Sequence, residues 1–148
     1  MAPNKLFCAM EAVLYIAYNT SGGAISSRDI AAKQHLPPRY LEGLMQKLVH
    51  AGILRGIRGP KGGYVLAKER RRISLADICT VLQEEDSNKE GGNYAATPLG
   101  KNIVMPVWEK ATAVWLDTLE NVNLAALCEQ ASEKQIKKHA EEKLDFTI

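Results

Sequence analysis

Residues 37–66 read PPRYLEGLMQKLVHAGILRGIRGPKGGYVL, and this stretch decides the fold. Pro37 and Pro38 fit the first turn of a helix, because the N–H that proline lacks would have no partner there. Apolar residues then recur at helical spacing, which predicts one buried face, at Leu41, Leu44, Met45 and Leu48. Gly52 is placed to end this helix. The runs ILRGI and YVLA follow, separated by RGPKGG, and this composition predicts a β-hairpin.

Two helices are predicted before this stretch and one directly after it. Apolar residues recur every three or four positions from Leu6 to Tyr18, and Ser26 or Ser27 can cap a second, shorter helix. After the hairpin, Ser74 and Asp77 form an acidic version of the capping box. Three helices followed by a hairpin predict a winged helix-turn-helix, so we expect a fold that is mainly α with a small β-hairpin.

The pattern divides the chain into four parts. Residues 1–83 form the predicted DNA-binding domain, and residues 84–97, which are polar and lack periodicity, are predicted to be a flexible loop. Residues 98–132 hold a long helix, expected to be bent by Pro106, and a short C-terminal helix. The long helix has more apolar face than a small core needs, which indicates a dimer contact, with packing inside one subunit as the alternative. Residues 133–148 are a charged tail, expected to be frayed or disordered.

Charge is segregated along the chain. Residues 1–72 hold twelve Lys and Arg against four Asp and Glu, net +8, whereas residues 73–148 hold seven against thirteen, net −6. Lys and Arg side chains that only keep a surface hydrated would explain each positive charge individually but not this segregation. Residues 1–72 are therefore predicted to bind a polyanion. No apolar run approaches the length of a membrane span, and we expect a cytoplasmic protein with no membrane partner.

The outer face of the third helix is the predicted DNA-reading surface. Residues near the start of such a helix meet base edges in the major groove. Arg39 suits guanine, Gln46 suits adenine and Glu42 suits the amino group of cytosine, while Gly43 lets DNA approach closely. Periodicity alone is equally consistent with these residues being the solvent-exposed face of an amphipathic helix that does not read DNA. The full predicted DNA-facing set is Ser27, Arg28, Pro38, Arg39, Tyr40, Glu42, Gln46, Lys47, Arg58, Gly59, Lys61, Gly62, Gly63 and Tyr64.

The hairpin is the predicted wing. Its glycines make it thin enough to enter the minor groove or to ride over the backbone, where Arg58 meets the strongest negative potential and Lys61 meets phosphates. A glycine-rich turn without this role would explain the glycines but not the paired cations. A nucleotide-phosphate cradle is excluded, because the pattern GxxxxGK[ST] is absent and no helix follows directly.

The sequence resembles the Rrf-two type of bacterial winged helix-turn-helix transcription regulators, the IscR, NsrR and CymR group. The likeness is carried by YLEGLMQKLVHAGILRGIRGPKGGYVLAK (40–68), by ISLADI (73–78) and, more loosely, by residues 107–129. It implies a homodimer, joined through the long helix, that binds a palindromic operator on double-stranded DNA and usually represses. It also implies a recognition role for Tyr40 and Glu42, and a minor-groove role for Arg58 and the wing glycines.

One departure from this family concerns its cofactor. Members that bind an iron-sulfur cluster place cysteines or other ligands in the segment that corresponds here to residues 83–105, which contain neither cysteine nor histidine. A cluster needs thiolates or imidazoles, so we expect none, and no other metal site. The three cysteines, Cys8, Cys79 and Cys128, have the spacing of buried small hydrophobes, and Cys8 is in addition a candidate redox sensor.

The leading hypothesis is therefore a homodimeric, sequence-specific DNA-binding regulator that represses transcription and answers to a protein or a small-molecule effector. A winged-helix module that binds protein, acting with a metabolic enzyme, is the alternative. No nucleophile and base, metal set or carboxylate pair stands out, so an enzyme is not expected.

Overall fold

The computed structural model describes residues 4–89 and 96–142. Over these residues the helices are α1 Lys5–Tyr18, α2 Ser27–Gln34, α3 Pro38–His50, α4 Leu75–Lys89, α5 Met105–Glu120 and α6 Leu124–Glu133. Strands β1 Leu54–Ile57 and β2 Gly63–Leu66 pair between α3 and α4, and 3-10 turns occupy Thr20–Gly22 and Arg70–Arg72. The prediction of a mainly α, winged helix-turn-helix fold with a small β-hairpin is confirmed. None of the helices described is long and apolar enough to cross a membrane.

Helix starts lie where local chemistry predicts them. Ser26 Oγ accepts a hydrogen bond from Asp29 N at 3.1 Å, so Ser26 rather than Ser27 is the cap of α2. Pro38 is the first residue of α3. At α4 the predicted acidic capping box is present: Ser74 N donates to Asp77 Oδ2 at 2.9 Å, and Asp77 N donates to Ser74 Oγ at 3.1 Å.

One hydrophobic core joins both ends of the chain. The predicted inner face of α3 is buried throughout, at Leu41, Leu44, Met45 and Leu48. It packs with Val13 and Ile16 of α1, and the same core takes in Ile78 of α4 and Leu124 of α6. Burying each such side chain stabilises the fold by about 1.5–3 kcal/mol. The first three helices are thus held on the C-terminal helices as one packed unit.

The predicted flexible loop, 84–97, is wrong over its first part. Helix α4 continues to Lys89, residues 90–95 lie outside the described residues, and residues 96 and 97 are irregular. A helix that is already nucleated adds residues at little cost, and glutamates such as Glu84 favour it. The missing apolar periodicity therefore did not mark the end of the helix.

The predicted frayed tail is also partly wrong, because residues 134–142 bind back to α1 and α2. Tyr18 Oη donates to the carbonyl of Ile136 at 2.5 Å, and Tyr15 Oη lies 2.5 Å from His139 Nδ1. Lys33 and Glu142 form an ion pair. These bonds use polar and main-chain groups, which leave no apolar periodicity in the sequence. Residues 143–148 lie outside the described residues.

The long C-terminal helix runs from 98 to 120 and is irregular before Pro106. A π-helical segment, Gly100–Val104, precedes α5, and Met105 N donates to the carbonyl of Gly100, one residue further back than in an α-helix. Proline has no N–H to donate, and the wider turn is a common response to such a break in the ladder. No residue of α5 is buried.

Candidate nucleic-acid interface

Helix α3 presents a polar outer face, as predicted. Arg39, Tyr40, Glu42, Gly43 and Gln46 are exposed, whereas the apolar residues between them are buried. Pro38 is exposed at the first position of the helix, and Lys47 is half-buried. Within the described residues neither Arg39 nor Glu42 has an ion-pair partner. Their charged groups are therefore available to a molecule outside this chain.

The start of α2 lies beside this face. The hydroxyl of Ser26 is occupied in capping, while Ser27 is half-buried and Arg28 is exposed. Ser26 and Ser27 both line the groove that separates α3 from the hairpin. The N-terminus of α2 thus borders the same groove, where main-chain N–H groups favour an anion.

The hairpin forms a five-residue tip with two unneutralised cations. Strands β1 and β2 are antiparallel with Ile57 opposite Gly63, and Gly62 N donates to the carbonyl of Gly59 at 2.9 Å to close the turn. Arg58 and Lys61 are exposed on either side of Pro60. Neither cation has an ion-pair partner in the part of the chain that the structure describes. The tip therefore carries two positive charges on a narrow support.

One groove brings the predicted residues together from three elements. Its lining includes Ser27 of α2, Gln46 of α3, and Arg58, Gly59, Gly62, Gly63 and Tyr64 of the hairpin. These predicted residues, scattered over the sequence, thus share one surface, whereas Lys61 lies at the hairpin tip outside the groove lining. Arg39, Tyr40 and Glu42 lie on the exposed face of α3, outside the groove lining.

Tyr64 has a different place from the other predicted contacts. Its side chain is only 7% exposed, and its hydroxyl accepts a hydrogen bond from Gln46 Nε2 at 3.1 Å. Burial raises the pKa of Tyr64, which the bond from Gln46 partly offsets and the nearby Glu42 charge reinforces. Tyr64 therefore holds Gln46 in position and is too buried to be an open contact itself.

The wing glycines are required by the fold in addition to keeping the wing thin. A Cβ on Gly62 would lie 2.3 Å from the carbonyl oxygen of Ile57, and one on Gly63 would lie 2.3 Å from the carbonyl of Ile25. Gly59 has φ +113°, a conformation that side chains disfavour. The interpretation that glycines only thin the wing is therefore incomplete. A Cβ on Gly43 or Gly56 would meet no atom within 4 Å, and neither residue has a positive φ of this kind.

Sequence reasoning missed the contact that sets the wing against α2. Ile25 N donates to the carbonyl of Tyr64 at 3.1 Å, and Tyr64 N donates to the carbonyl of Ile25 at 2.8 Å. Ile57 and Val49, which line the groove, were also missed. An apolar residue at an exposed strand end is the signal that could have indicated Ile57, which is 41% exposed.

The three cysteines are buried, and their interpretation as small hydrophobes is confirmed. Burial is the main cause that raises the pKa of each thiol, opposed at Cys128 by a hydrogen bond and charge from Arg70. Cys79 Sγ lies 3.7 Å from Met10 Sδ. A redox role for Cys8 stays a prediction, and its burial and raised pKa do not favour one.

A family model described as "Rrf2: Iron-dependent Transcriptional regulator" matches residues 3–130. The chain belongs to the Rrf2 family. It is a transcriptional regulator with a DNA-binding fold, in a family of regulators and not of enzymes.

Relatives of this Rrf2 chain span nearly all of it. A Neisseria meningitidis protein, itself inferred to be an HTH-type transcriptional regulator, is 32% identical over 123 residues, 82% of this chain and 83% of that protein. The structure of IscR from T. potens has a TM-score of 0.71 at 28% identity and covers 95% of this chain and 94% of its own. CymR, the global cysteine regulator of B. subtilis, has a TM-score of 0.65 at 26% identity, over 88% and 97% of the two chains.

Proposed function

We propose that this Rrf2 protein is a homodimeric repressor that binds a palindromic operator and works without an iron-sulfur cluster. The observation that carries the DNA-binding part is the common surface formed by the polar face of α3, the start of α2 and the cationic wing tip. Basic residues on one surface, beside a helix of recognition type, are the signature of a duplex-binding protein.

In this proposal α3 enters the major groove. Arg39 pairs with guanine or clamps a phosphate, Gln46 addresses adenine, and Glu42 accepts from cytosine. Because Tyr64 bonds the amide nitrogen of Gln46, the orientation of that side chain is set before DNA arrives. Such pre-organisation lowers the entropy lost on binding.

The wing addresses the second groove. Arg58 enters the minor groove, where negative potential is strongest, and Lys61 contacts a phosphate. Ser27 and Arg28 contact the backbone from the start of α2. A protein that occupies both grooves in this way blocks transcription when its operator overlaps a promoter.

The exposed apolar face of the long helix, residues 98–120, supports the proposed dimer. Ile103, Val107 and Val114 are 63%, 69% and 63% exposed, and they recur at steps of four and seven residues. A monomer rarely leaves such a stripe uncovered, whereas the same stripe on a second copy would bury it about a twofold axis. Two α3 helices related by that axis explain a palindromic operator.

The distribution of cysteine and histidine, the usual ligands of an iron-sulfur cluster, supports regulation without such a cluster. Residues 83–105 contain no cysteine or histidine, and the three thiols of the chain are buried with raised pKa values. We expect protein purified without oxygen to be colourless. Stoichiometric iron and sulfide with a visible absorption band would contradict this part of the proposal.

Selection from random duplexes, followed by Arg58→Ala, tests the DNA-binding part. The variant is expected to weaken operator binding about tenfold or more, and Lys61→Ala, which removes the proposed phosphate contact, is expected to flatten the slope of log K against log salt by about one unit. Arg72→Ala, a matched loss of one exposed arginine outside the groove, is expected to retain wild-type affinity. If no duplex is selected at any salt concentration, a protein-docking role for the basic surface replaces this function.

A further inference from the structure

A second concave surface lies behind the hairpin, away from the groove that faces DNA. It is an open trough of about 640 Å³ between α1, the outer side of the hairpin, the Arg70–Arg72 turn and α6. It has no lining residue in common with the DNA-facing groove. Its volume falls in the range of small-molecule sites.

The rim of the trough is cationic. Arg55, Lys68, Arg70 and Arg71 line it against one acid, Glu69, so that four cations oppose one anion. Arg71 Nε donates to Glu69 Oε2 at 2.6 Å, which neutralises that pair. Arg55 and Lys68 have no ion-pair partner among residues 4–89 and 96–142. Arg70 interacts with the Cys128 thiol. The charges of Arg55 and Lys68 are therefore left at the rim to attract an anion.

The floor of the trough is apolar. Val65, Leu66 and Ala125 are half-buried there, above the buried side chain of Ile16. An apolar floor below a cationic rim matches a ligand that has an apolar body and an anionic head. A bare inorganic ion would leave the floor without a partner, and a neutral apolar molecule would leave the charges unused.

We propose that this trough binds a small organic anion, with a carboxylate or phosphate-monoester head held by Arg55 and Lys68 and an apolar body on Val65 and Leu66. The proposed ligand site depends only on the geometry and charge of the trough. The further role of this ligand as an effector rests on the proposed function in DNA binding.

The strands connect the trough with the wing. Arg55 and Val65 are opposite each other in the β1–β2 register, and both line the trough. The next pair toward the tip is Gly56 and Tyr64, and both of these line the DNA-facing groove. A ligand held by Arg55 thus restrains the strands that carry Arg58, and it is expected to change operator affinity without touching DNA.

Fluorescence titration of the full chain with anilinonaphthalene sulfonate, an aromatic body with one anionic head, tests the site. The double variant Arg55→Gln, Lys68→Gln is expected to raise the Kd of this probe about tenfold or more, because two charge-assisted contacts are lost. The control is Arg39→Gln, Lys61→Gln, which removes the same charge from the DNA-facing surface. It is expected to leave the Kd within about twofold of wild type.

Competition separates the two head groups. Benzoate and phenyl phosphate share an apolar ring, and the one that displaces the probe at lower concentration identifies the head. Equal weakening by both double variants would show a net-charge effect and overturn the site, as would a trough variant that binds like wild type. The single variant Lys68→Gln, expected to shift the Kd in the same direction by less, keeps the test valid if the double variant is unstable.

Operator affinity gives the last comparison. The displacing anion is expected to change the Kd for operator DNA in wild type and not in the trough variant. If that variant loses DNA affinity while its Kd for the probe is unchanged, the cations are a DNA surface and the ligand site is wrong. Because probe binding is measured without DNA, it tests the ligand site even when the protein is found not to bind an operator.

Discussion

Gly43 is an exposed glycine in the middle of α3, and no contact among the described residues requires it. A Cβ there would meet no atom within 4 Å, and the backbone is helical. Glycine in a helix interior costs about 0.5–1 kcal/mol relative to alanine. Such a cost on the exposed face of α3 is explained if another molecule approaches the main chain there.

We therefore expect Gly43→Ala to stabilise the protein and to weaken DNA binding. The free energy of unfolding in urea should rise by about 0.5–1 kcal/mol, and operator affinity should fall several-fold because the new methyl group meets the duplex. Gln130→Ala, on the exposed side of α6, should leave both values close to wild type. A Gly43→Ala variant with normal operator affinity would show that α3 does not approach DNA at this point.

The buried thiols make stability depend on pH on the alkaline side. Burial raises the pKa of Cys8, Cys79 and Cys128 above the ordinary value of 9.0. As pH rises through that value, thiols of the unfolded chain lose protons that the folded chain keeps. The unfolded state then binds fewer protons, so the stability falls with increasing pH.

The urea midpoint should accordingly decrease from pH about 8 to about 9.5. Cys79→Ala removes one of these thiols, so its midpoint, although lower at every pH because a buried group is lost, should decrease less steeply. A decrease of equal steepness in both proteins would show that Cys79 has no part in the effect.

The hairpin is held by contacts that its own sequence does not contain. The two hydrogen bonds between Ile25 and Tyr64 place β2 against the chain just before α2. This approach leaves no space for a side chain on Gly63, whereas Gly56, in the opposite strand, has open space around it.

The two glycines should therefore respond differently to the same substitution. Gly63→Ala forces a methyl group against the carbonyl of Ile25 and is expected to destabilise the protein by roughly 2 kcal/mol or more. Gly56→Ala is expected to change stability by less than about 1 kcal/mol. Thermal unfolding followed by circular dichroism measures both, and equal melting temperatures would contradict the close approach of β2 to Ile25.

The extent of each element could be predicted only where local signals exist. The starts of α2, α3 and α4 have side-chain caps or prolines, and these were predicted correctly. The end of α4, predicted at Gln83, lies further on at Lys89, and Gly91 and Gly92 shortly after it are of the residue type that commonly ends a helix.

At the scale of the whole molecule, the long C-terminal helix leaves several large apolar side chains exposed within the part of the chain that the structure describes. Val107 is 69% exposed, so replacing it removes little from the core of a monomer. A charge at this position would nevertheless be buried, unpaired, in the proposed dimer, at a cost of several kcal/mol.

Val107→Glu should consequently yield a folded monomer in sedimentation experiments, with operator affinity reduced by about 10²-fold because only one half-site is engaged at a time. Ala113→Glu adds the same charge to an exposed position of α5 about 120° further round the helix, and it should remain a dimer. A dimeric Val107→Glu protein would place the subunit contact elsewhere.

Local rules were sufficient for the order of the elements. Caps, turn residues and the spacing of Leu41, Leu44, Met45 and Leu48 act within a few positions of the chain, and they predicted three helices and a hairpin with a polar outer face on α3. The residues of the candidate site followed, because a winged helix-turn-helix puts that face and the wing on one side.

Contacts between residues that are distant in the sequence could be identified only from the tertiary structure. The burial of Tyr64 under Gln46, the close approach of Gly63 to Ile25, the cationic trough, and the bond of 2.5 Å from His139 N to Asn19 Oδ1, 120 positions away, leave no periodic trace in the sequence. Each depends on how helices and strands pack in three dimensions. Packing is a collective result of many side chains, and no local pattern encodes it.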